Sequence, residues 1–382
     1  MIITDGKKAG LLLPVLLVVL SSLGAYLLVE GAVSVFRGRT PETSLGYRAY
    51  ALIRGTAWEQ ELTAPNDPNA MLLRDQAELE ALVEAFRKNR VGLGNTIYGE
   101  LKTGEASIHL QVDGCKRQKP DLRKLQTHLL TNLFDPLDPI VAFWDQDRVL
   151  DPEVAAFIER YHFREVTLTT NQFGDRITLP EVDSERKVIV GGDSMANGVL
   201  LNDDETLASQ LQARDPARQY INTGINGISP REVICAIERA VDTYDGNVEE
   251  LIYLYSENDF ESGEPLGTPE EVVAWMKDFA REQDLKKVTV VYAPYFYNIM
   301  PQLTRFKGYR GHFFPHHSDE RRRLAELVTA AGFRHIDVTD IAREENQRAG
   351  TLFAAFALFV DATHYSRYGT GRLVEHLTAS GG

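Results

Sequence analysis

The segment RKVIVGGDSMANGV (Arg186–Val199) decides the fold class. Its first part, Lys187–Val190, is a short segment that is apolar after the lysine, which is typical of a parallel strand that is buried on both faces. The second part changes to glycine and small polar residues, which indicates a loop directly after the strand. This order of strand, loop and helix then recurs to the end of the chain.

The recurring pattern predicts four further strands and five helices. The strands are expected over 219–222, 250–255, 286–292 and 335–338, and the helices over 206–213, 230–242, 268–283, 318–331 and 366–378. Short buried strands that alternate with helices predict an α/β fold, here a three-layer α/β/α (flavodoxin-like) parallel sheet. Ligands of such folds bind beyond the carboxyl ends of the strands.

The chain before Arg186 is less regular and predicts a smaller α+β region. Asp75–Lys88 has apolar residues at helical spacing, while Ser107–Asp113 and Glu165–Thr170 alternate as half-buried strands do. The predicted domains are therefore a membrane anchor over 1–37, an upstream α+β region of open role over 38–185, and an α/β domain over 186–382.

An uncharged apolar run near the amino terminus predicts the anchor. Leu11–Val29 contains 19 residues, and at 1.5 Å per residue such a helix is about 28 Å long, close to the thickness of a hydrocarbon core. A cleaved signal peptide and a buried soluble helix are the alternatives. Lys7 and Lys8 before the run favour a cytoplasmic amino terminus and an exported, periplasmic body, although Arg37 and Arg39 follow it.

Composition argues against several classes of protein. The chain has 41 Lys and Arg against 55 Asp and Glu, a net charge of −14, so binding to nucleic acid is not expected. Cys115 and Cys235 are too few and too far apart for a disulfide scaffold or a cysteine zinc site. Each is interpreted as a small apolar residue, with one disulfide between them as the alternative. No metal or cofactor is expected.

Four polar segments stand where the predicted strands end or the last helix begins. Each has an ordinary structural interpretation when taken alone. Ser194 could cap a helix, NTGINGIS (222–229) could be a tight turn or a weak dinucleotide motif, and SENDF (256–260) could be an Asx turn. An Asp361 and His364 pair in DATHYSRYG (361–369) could simply be solvated.

Together and in this order, the segments GDSMANGV, NTGINGIS, SENDF and DATHYSRYG resemble the SGNH/GDSL hydrolase superfamily. The resemblance covers about residues 186–377. It implies Ser194 as the nucleophile, His364 as the base and Asp361 as the acid of the triad. It also implies that Gly227 and Asn258 donate hydrogen bonds to the oxyanion.

Two further features refine this resemblance. Ser256 stands where many members have glycine, which leaves the Asn258 donor in place and puts the loop shape in doubt. Upstream, TNQFGDR (170–176) is similar to a TNxxGxR element that precedes the serine block in many membrane-anchored bacterial members. The region before about Leu130 has no counterpart.

The chemistry of these residues agrees with the resemblance. A serine hydroxyl becomes a useful nucleophile only when a base removes its proton, and the unperturbed pKa of histidine lies closest to neutral pH. Asp361 could orient the His364 ring. Attack on an ester carbonyl creates an oxyanion that needs donors already in place, which Ser194 N–H, Gly227 N–H and the Asn258 amide could supply.

These observations lead to a functional hypothesis and an alternative. We expect a membrane-anchored serine esterase or O-acyltransferase that acts through an acyl-serine, on an envelope glycan or another acylated substrate. Its partners would be that substrate and the lipid bilayer. The alternative is a non-catalytic accessory subunit of a membrane complex that is built on the same fold.

Two other groups of residues carry weaker signals. A histidine cluster could bind a metal or gate the site, although a polar loop capped by Ser318 is the better interpretation; the cluster is His312, His316 and His317. Aromatic residues after the fourth strand could line a substrate groove, although core packing is the better interpretation; they are Tyr292, Tyr295, Phe296 and Tyr297.

Overall fold

A computed structural model describes residues 76–93, 108–112, 114–129, 140–161, 164–244, 247–261, 267–299, 317–350, 354–361 and 363–379. All of them belong to one compact unit, Thr63–Ile299 with Phe314–Gly382. The predicted span Leu11–Val29, and with it the anchor over 1–37, lies outside the described residues. Within these ranges, none of the helices has the length and apolar character needed to cross a bilayer.

The upstream part is an antiparallel sheet covered by two helices. Its elements are α1 (Gln76–Lys88), β1 (Gly92–Leu93), β2 (His109–Val112), β3 (Cys115–Gln118), β4 (Arg123–Leu129), β5 (Ile140–Asp145), α2 (Pro152–Tyr161) and β6 (Arg164–Thr169). Four strands form one sheet in the order β1-β5-β4-β6, and β2 pairs with β3 as a separate hairpin. Leu79, Leu82 and Phe86 of α1 pack on Leu129 and Trp144 of this sheet.

The second part begins with the predicted first strand. Its elements are β7 (Arg186–Gly191), α3 (Ser194–Asn197), α4 (Leu207–Arg214), β8 (Gln219–Asn222), α5 (Pro230–Thr243), β9 (Asn247–Ser256), α6 (Pro269–Glu282), β10 (Lys287–Ala293), α7 (Phe296–Ile299), α8 (Ser318–Ala330), β11 (Arg334–Asp337), α9 (Val338–Ala349) and α10 (Arg367–Thr378). Short 3-10 turns cover Asp203–Glu205, Glu257–Glu261 and Ala354–Leu358.

The five strands β7 to β11 form a parallel sheet in the order β8-β7-β9-β10-β11. Counted from β7, this is the order 2-1-3-4-5, which is the flavodoxin-like arrangement. In register, Ile189 of β7 lies between Ile221 of β8 and Leu251 of β9. Every residue of β9 after Asn247 is buried, because strands and helices surround it. The predicted three-layer α/β fold is confirmed.

Helices α5, α6 and α8 cover one face of the parallel sheet. Ile237, Met276 and Leu324 from these helices pack with Leu251 and Tyr253 of β9 in one hydrophobic cluster. The helices begin where capping residues predict. Thr206 accepts from Ser209 N at the start of α4, and Pro230 takes the first turn of α5 behind a Ser229–Glu232 capping box.

Some boundaries differ from the prediction. Val338 starts α9 instead of ending a strand, because Asp337 caps that helix by accepting from Thr339 N at 2.8 Å. The helix predicted from Asp75 is described from Gln76, so its capping residue lies outside the described residues. Helices α2 and α9 were not predicted from the sequence. In α9 the apolar residues are few.

The two cysteines form a disulfide between β3 and α5. Cys115 and Cys235 are separated by 120 residues in the chain, and their Cα atoms are 6.3 Å apart. The interpretation of each cysteine as an isolated small apolar residue was therefore wrong, and the alternative was right. No pattern in the sequence indicated this pairing, because the two cysteines meet only when the β2–β3 hairpin folds back onto α5.

Candidate active site

Ser194 is the first residue of α3, immediately beyond the carboxyl end of β7. Asp193 caps this short helix by accepting from Met195 N at 3.0 Å. At the other end, Gly198 N–H donates to Ser194 O at 3.0 Å. The first N–H groups of a helix have no partner inside the helix, so this position presents the Ser194 hydroxyl together with its own N–H.

Arg176 of the TNQFGDR element holds the opposite end of α3. This side chain is fully buried, and its Nη1 donates to Asn197 O at 2.9 Å and Gly198 O at 2.6 Å. Its Nη2 donates to Leu201 O at 2.5 Å, and Asp203 balances its charge at 3.1 Å. A cation on the last carbonyls of a helix stabilises that end. The upstream element therefore supports the backbone that carries Ser194.

Asp193 also joins the serine block to the loop after β9. Ser256 Oγ donates to Asp193 Oδ1 at 2.7 Å, and Asn258 Nδ2 donates to Asp193 Oδ2 at 3.2 Å. Ser256 N donates to Asp259 Oδ2 at 2.8 Å, and burial together with the nearby Asp193 raises the pKa of Asp259. The departure at Ser256 thus supplies a hydrogen bond that glycine could not make.

The loop after β8 packs closely on α3. Asn222 Oδ1 accepts from Gly224 N at 3.0 Å, and Gly224 O accepts from Asn197 Nδ2 at 2.8 Å. A Cβ at position 224 would lie 2.1 Å from Asn197 N, so only glycine fits. Gly227 has a φ of 61°, the left-handed region that favours glycine. This packing brings the Gly227 loop beside the serine helix.

Two backbone N–H groups at this edge lack an acceptor within the described part of the chain. Neither Ser194 N–H nor Gly227 N–H has a hydrogen-bond partner among the residues that the structure describes. Ser194 is half-buried and Gly227 is exposed, so each N–H is open to water or to a ligand. With the second hydrogen of the Asn258 amide, they form a set of donors that could receive an anionic oxygen.

Asp361 and His364 form a paired acid and base before α10. His364 Nδ1 is 2.6 Å from Asp361 Oδ2, and Asp361 Oδ1 accepts from His364 N at 2.5 Å and Thr363 N at 2.7 Å. Thr363 Oγ1 is 3.0 Å from the same ring nitrogen. A neutral His364 that donates from Nδ1 carries its basic lone pair on Nε2, which is the tautomer a serine base needs.

The electrostatics keep this acid ionised. Burial opposes ionisation of Asp361, but the charge of His364 and the hydrogen bonds from His364 and Thr363 outweigh it, and the pKa of Asp361 is lowered. This segment lies close to the serine helix, because Val360, the residue before Asp361, packs with Val199 and Leu200, which follow α3. Asp361 therefore acts as a fixed negative partner for the imidazole.

The loops after β7, β8 and β9 place Ser194, Gly227 and Asn258 at one edge of the parallel sheet, and the segment that leads into Asp361 and His364 packs beside the residues that follow the serine helix. The strand order and the blocks at the strand ends match what the sequence implied. The fold is the three-layer α/β fold that the resemblance implied. Residues that sequence reasoning gave no role, Asp193, Thr363 and Arg176, connect or support these five.

The weaker candidates fall elsewhere. Tyr292 and Phe296 are buried, and the ring centroids of Phe296 and Phe359 are 5.4 Å apart. Both residues therefore belong to the core, which was the preferred interpretation. Tyr295 N donates to Glu257 Oε2 at 3.1 Å. His317 is the N-cap residue of α8, one residue before the expected cap Ser318. The ring centroids of His317 and Phe260 are 5.2 Å apart. The other residues of these groups, His312, His316 and the Tyr297 side chain, are outside what the structure describes.

Comparisons with known proteins give fold-level likenesses. No family model and no curated protein matches the chain. A lipolytic protein of the G-D-S-L family from Veillonella parvula DSM 2008 is 14% identical over 51% of this chain and 98% of its own, with a TM-score of 0.39. The acetyl xylan esterase AlAXEase is 14% identical over 51% of this chain and 99% of its own, with a TM-score of 0.39.

A third solved structure is similar over the same share of the chain. The lipase/acylhydrolase from Enterococcus faecalis is 15% identical over 51% of this chain and 96% of its own, with a TM-score of 0.36. At these identities and TM-scores the likeness carries no inference about activity. The assignment of roles therefore rests on the residues of this chain.

Proposed function

We propose that the protein is a serine esterase or O-acyltransferase that works through an acyl-serine intermediate. The observation that carries the proposal is the Asp361–His364 pair, 2.6 Å apart, in the same domain as Ser194, whose N–H has no partner among the described residues. This is the set that acyl transfer through serine requires: a nucleophile, an oriented base and prearranged oxyanion donors.

The proposed reaction begins with Ser194 Oγ attacking the ester carbonyl carbon while His364 Nε2 takes the hydroxyl proton. The carbonyl oxygen becomes an oxyanion and accepts from Ser194 N–H, Gly227 N–H and the Asn258 amide. When the intermediate collapses, the carbon–oxygen bond to the leaving alcohol breaks and His364 returns the proton to that alcohol. Water or a sugar hydroxyl then attacks acyl-Ser194 while His364 takes its proton. The bond to Ser194 Oγ breaks, His364 returns the proton to the serine, and an acid or a new ester is released.

We infer that the catalytic domain works outside the cytoplasm, held by Leu11–Val29, on an acylated envelope glycan or another acylated substrate. The Cys115–Cys235 disulfide supports this location, because structural disulfides persist in oxidising compartments. An alkaline phosphatase fusion after Gly382 should be active in that case. A well expressed but inactive fusion would place the domain in the cytoplasm.

Labelling with a fluorophosphonate probe tests the nucleophile. Wild type should be labelled and Ser194→Ala should not. Ser184→Ala is a matched control, since Ser184 lies before β7, and its hydroxyl donates to Ala217 O at 3.0 Å; this variant should label like wild type. Equal labelling of wild type and Ser194→Ala would remove the assignment.

Product analysis distinguishes hydrolysis, transfer and a non-catalytic role. We expect slow hydrolysis of p-nitrophenyl acetate that is stimulated by a hydroxylated oligosaccharide, which should emerge acylated. Transfer of acyl groups only to water would favour the simple esterase. A wild-type protein that shows neither reaction but copurifies stoichiometrically with other membrane proteins would favour the accessory-subunit hypothesis.

A further inference from the structure

The β2–β3 hairpin of the upstream region reaches the loop that carries Gly227. We call residues 223–229 the oxyanion loop. Lys116 Nζ donates to two successive carbonyls of this loop, Asn226 O and Gly227 O, each at 3.0 Å. Lys116 lies 110 residues before Asn226 in the chain, so its contact depends on tertiary structure alone.

The hairpin is itself fixed at two further points beside Lys116. Cys115, the preceding residue, is disulfide-bonded to Cys235 of α5, the helix that starts directly after the oxyanion loop. Gln118 Nε2 donates to Gly224 O at 3.1 Å, and this side chain is buried. Lys116 is therefore held over the loop from a covalently anchored strand.

The bond to Asn226 O has a direct consequence for the Gly227 N–H. Both atoms belong to one peptide group, which is planar and trans, so its C=O and N–H point in opposite directions. A cation that fixes the oxygen on one side therefore fixes the N–H on the other. Charge-assisted hydrogen bonds are also stronger than neutral ones, and hydrogen bonds along a peptide polarise one another.

Glycine makes such a restraint useful. Gly227 adopts a φ of 61°, and glycine samples more backbone conformations than any other residue. A Cβ at this position would lie 3.8 Å from Lys116 Nζ, an ordinary contact distance. Without an outside contact, the peptide before Gly227 could rotate and remove its N–H from the site.

We propose that Lys116 is a positioning residue that aims the Gly227 N–H at the oxyanion. This inference rests on the proposed function, and it gives the upstream region a part in catalysis. Lys116 acts through the peptide group and does not touch the substrate. The proposal explains why the hairpin is joined by a disulfide to the helix that follows the oxyanion loop.

Steady-state kinetics on three variants tests the proposal. Lys116→Met keeps the length of the side chain but removes its charge, and should lower kcat by about 10- to 100-fold, less than complete loss of an oxyanion donor. KM should change by less than about twofold, because the oxyanion exists only in the transition state. Lys116→Arg should recover most of kcat. Lys277→Met, which changes an exposed lysine of α6, should match wild type.

A spectroscopic measurement separates this proposal from the proposed function. In protein labelled with ¹⁵N-glycine, the Gly227 amide resonance should shift or broaden in Lys116→Met and stay unchanged in Lys277→Met. An unchanged Gly227 resonance, or an unchanged kcat in Lys116→Met, would overturn the role of Lys116. An inert wild type whose Gly227 resonance still responds to Lys116→Met would overturn the proposed function and leave the positioning of this peptide supported.

Discussion

The side-chain amide of Asn258 donates to the carboxylate of Asp193 at 3.2 Å. Asp193 precedes Ser194 in the chain, and Asn258 follows β9, the central strand of the sheet. One carboxylate therefore fixes both the backbone of the nucleophile, through Met195 N, and the orientation of a proposed oxyanion donor. The geometry couples two residues that the sequence places in separate blocks.

This coupling predicts non-additive effects of substitution. Asn258→Ala should lower kcat by about 10²–10³-fold with a smaller change in KM, as for loss of one prearranged donor. Asp193→Asn should also lower kcat, because an amide cannot accept from Met195, Ser256 and Asn258 together. In a double-mutant cycle, the fold loss of kcat in the double variant should be smaller than the product of the fold losses in the two single variants. Strictly multiplicative losses would mean that the two residues act independently.

Asp361→Asn tests the orientation of the base. The substitution keeps the shape of the side chain but removes the negative charge that favours the Nδ1–H tautomer of His364. We expect kcat to fall by about 10⁴-fold, as for the equivalent change in serine protease triads. The thermal midpoint and the fluorescence of the folded state should change little, and activity should be measured on the same preparation. A loss of less than about tenfold would argue against Asp361 as the acid.

His128 predicts a pH dependence of stability. Burial lowers the pKa of this side chain to about 3, with Arg164 acting in the same direction and Asp361 against it. Between pH 3 and about 6.5 the unfolded chain binds a proton that the folded protein excludes, so stability rises with pH in this window and levels off above it. The slope from this residue is about 1.4 kcal/mol per pH unit.

His128→Leu should remove that contribution. Urea unfolding of wild type and variant at several pH values would measure it as the difference between their free energies of unfolding. This difference should grow as the pH falls from 6.5 and stay constant above about 7. The same pH dependence in both proteins would mean that His128 is protonated in the folded state.

The disulfide predicts a large stability effect. Cys115→Ser combined with Cys235→Ser opens a covalent loop of about 120 residues. Chain entropy then assigns about 2–5 kcal/mol to the lost cross-link, so the urea midpoint should fall clearly. The slope should rise, because the denatured chain without the cross-link is more expanded. The measurement needs both single variants as controls. A double variant as stable as wild type would mean that the noncovalent contacts of the hairpin suffice.

Much of the parallel sheet could be predicted from the sequence. Val188–Val190 and Leu251–Tyr255 are continuous apolar runs, and a buried parallel strand produces that pattern directly. The polar segments at the strand ends followed from the same pattern, because a change from apolar to polar residues marks where a strand leaves the core. The roles of the residues in them followed from the resemblance to the SGNH/GDSL superfamily. Helix starts such as Pro230 were readable from local capping chemistry.

Other features had no local signal. The bond between Cys115 and Cys235 and the contact of Lys116 with Asn226 depend on a hairpin folding back across more than 100 residues. Strand β4 was not predicted because Gln126 and His128 interrupt its apolar pattern, yet both are buried in the structure. The role of Arg176 was equally hidden, since an arginine in a loop is ordinarily exposed.

The contacts of Arg176, Gln118 and Cys115 also limit how this gene could exchange parts with a relative. The sequence pattern favours a crossover close to Arg186, because the α/β repeat begins there. It would, however, separate Arg176 from the carbonyls of Asn197 and Gly198, and Cys115 from Cys235. Chimaeras that inherit residues 114–244 from one parent should retain their activity, while those joined near residue 186 should express poorly. The segment that must come from one parent is therefore longer than the repeating strands and helices alone.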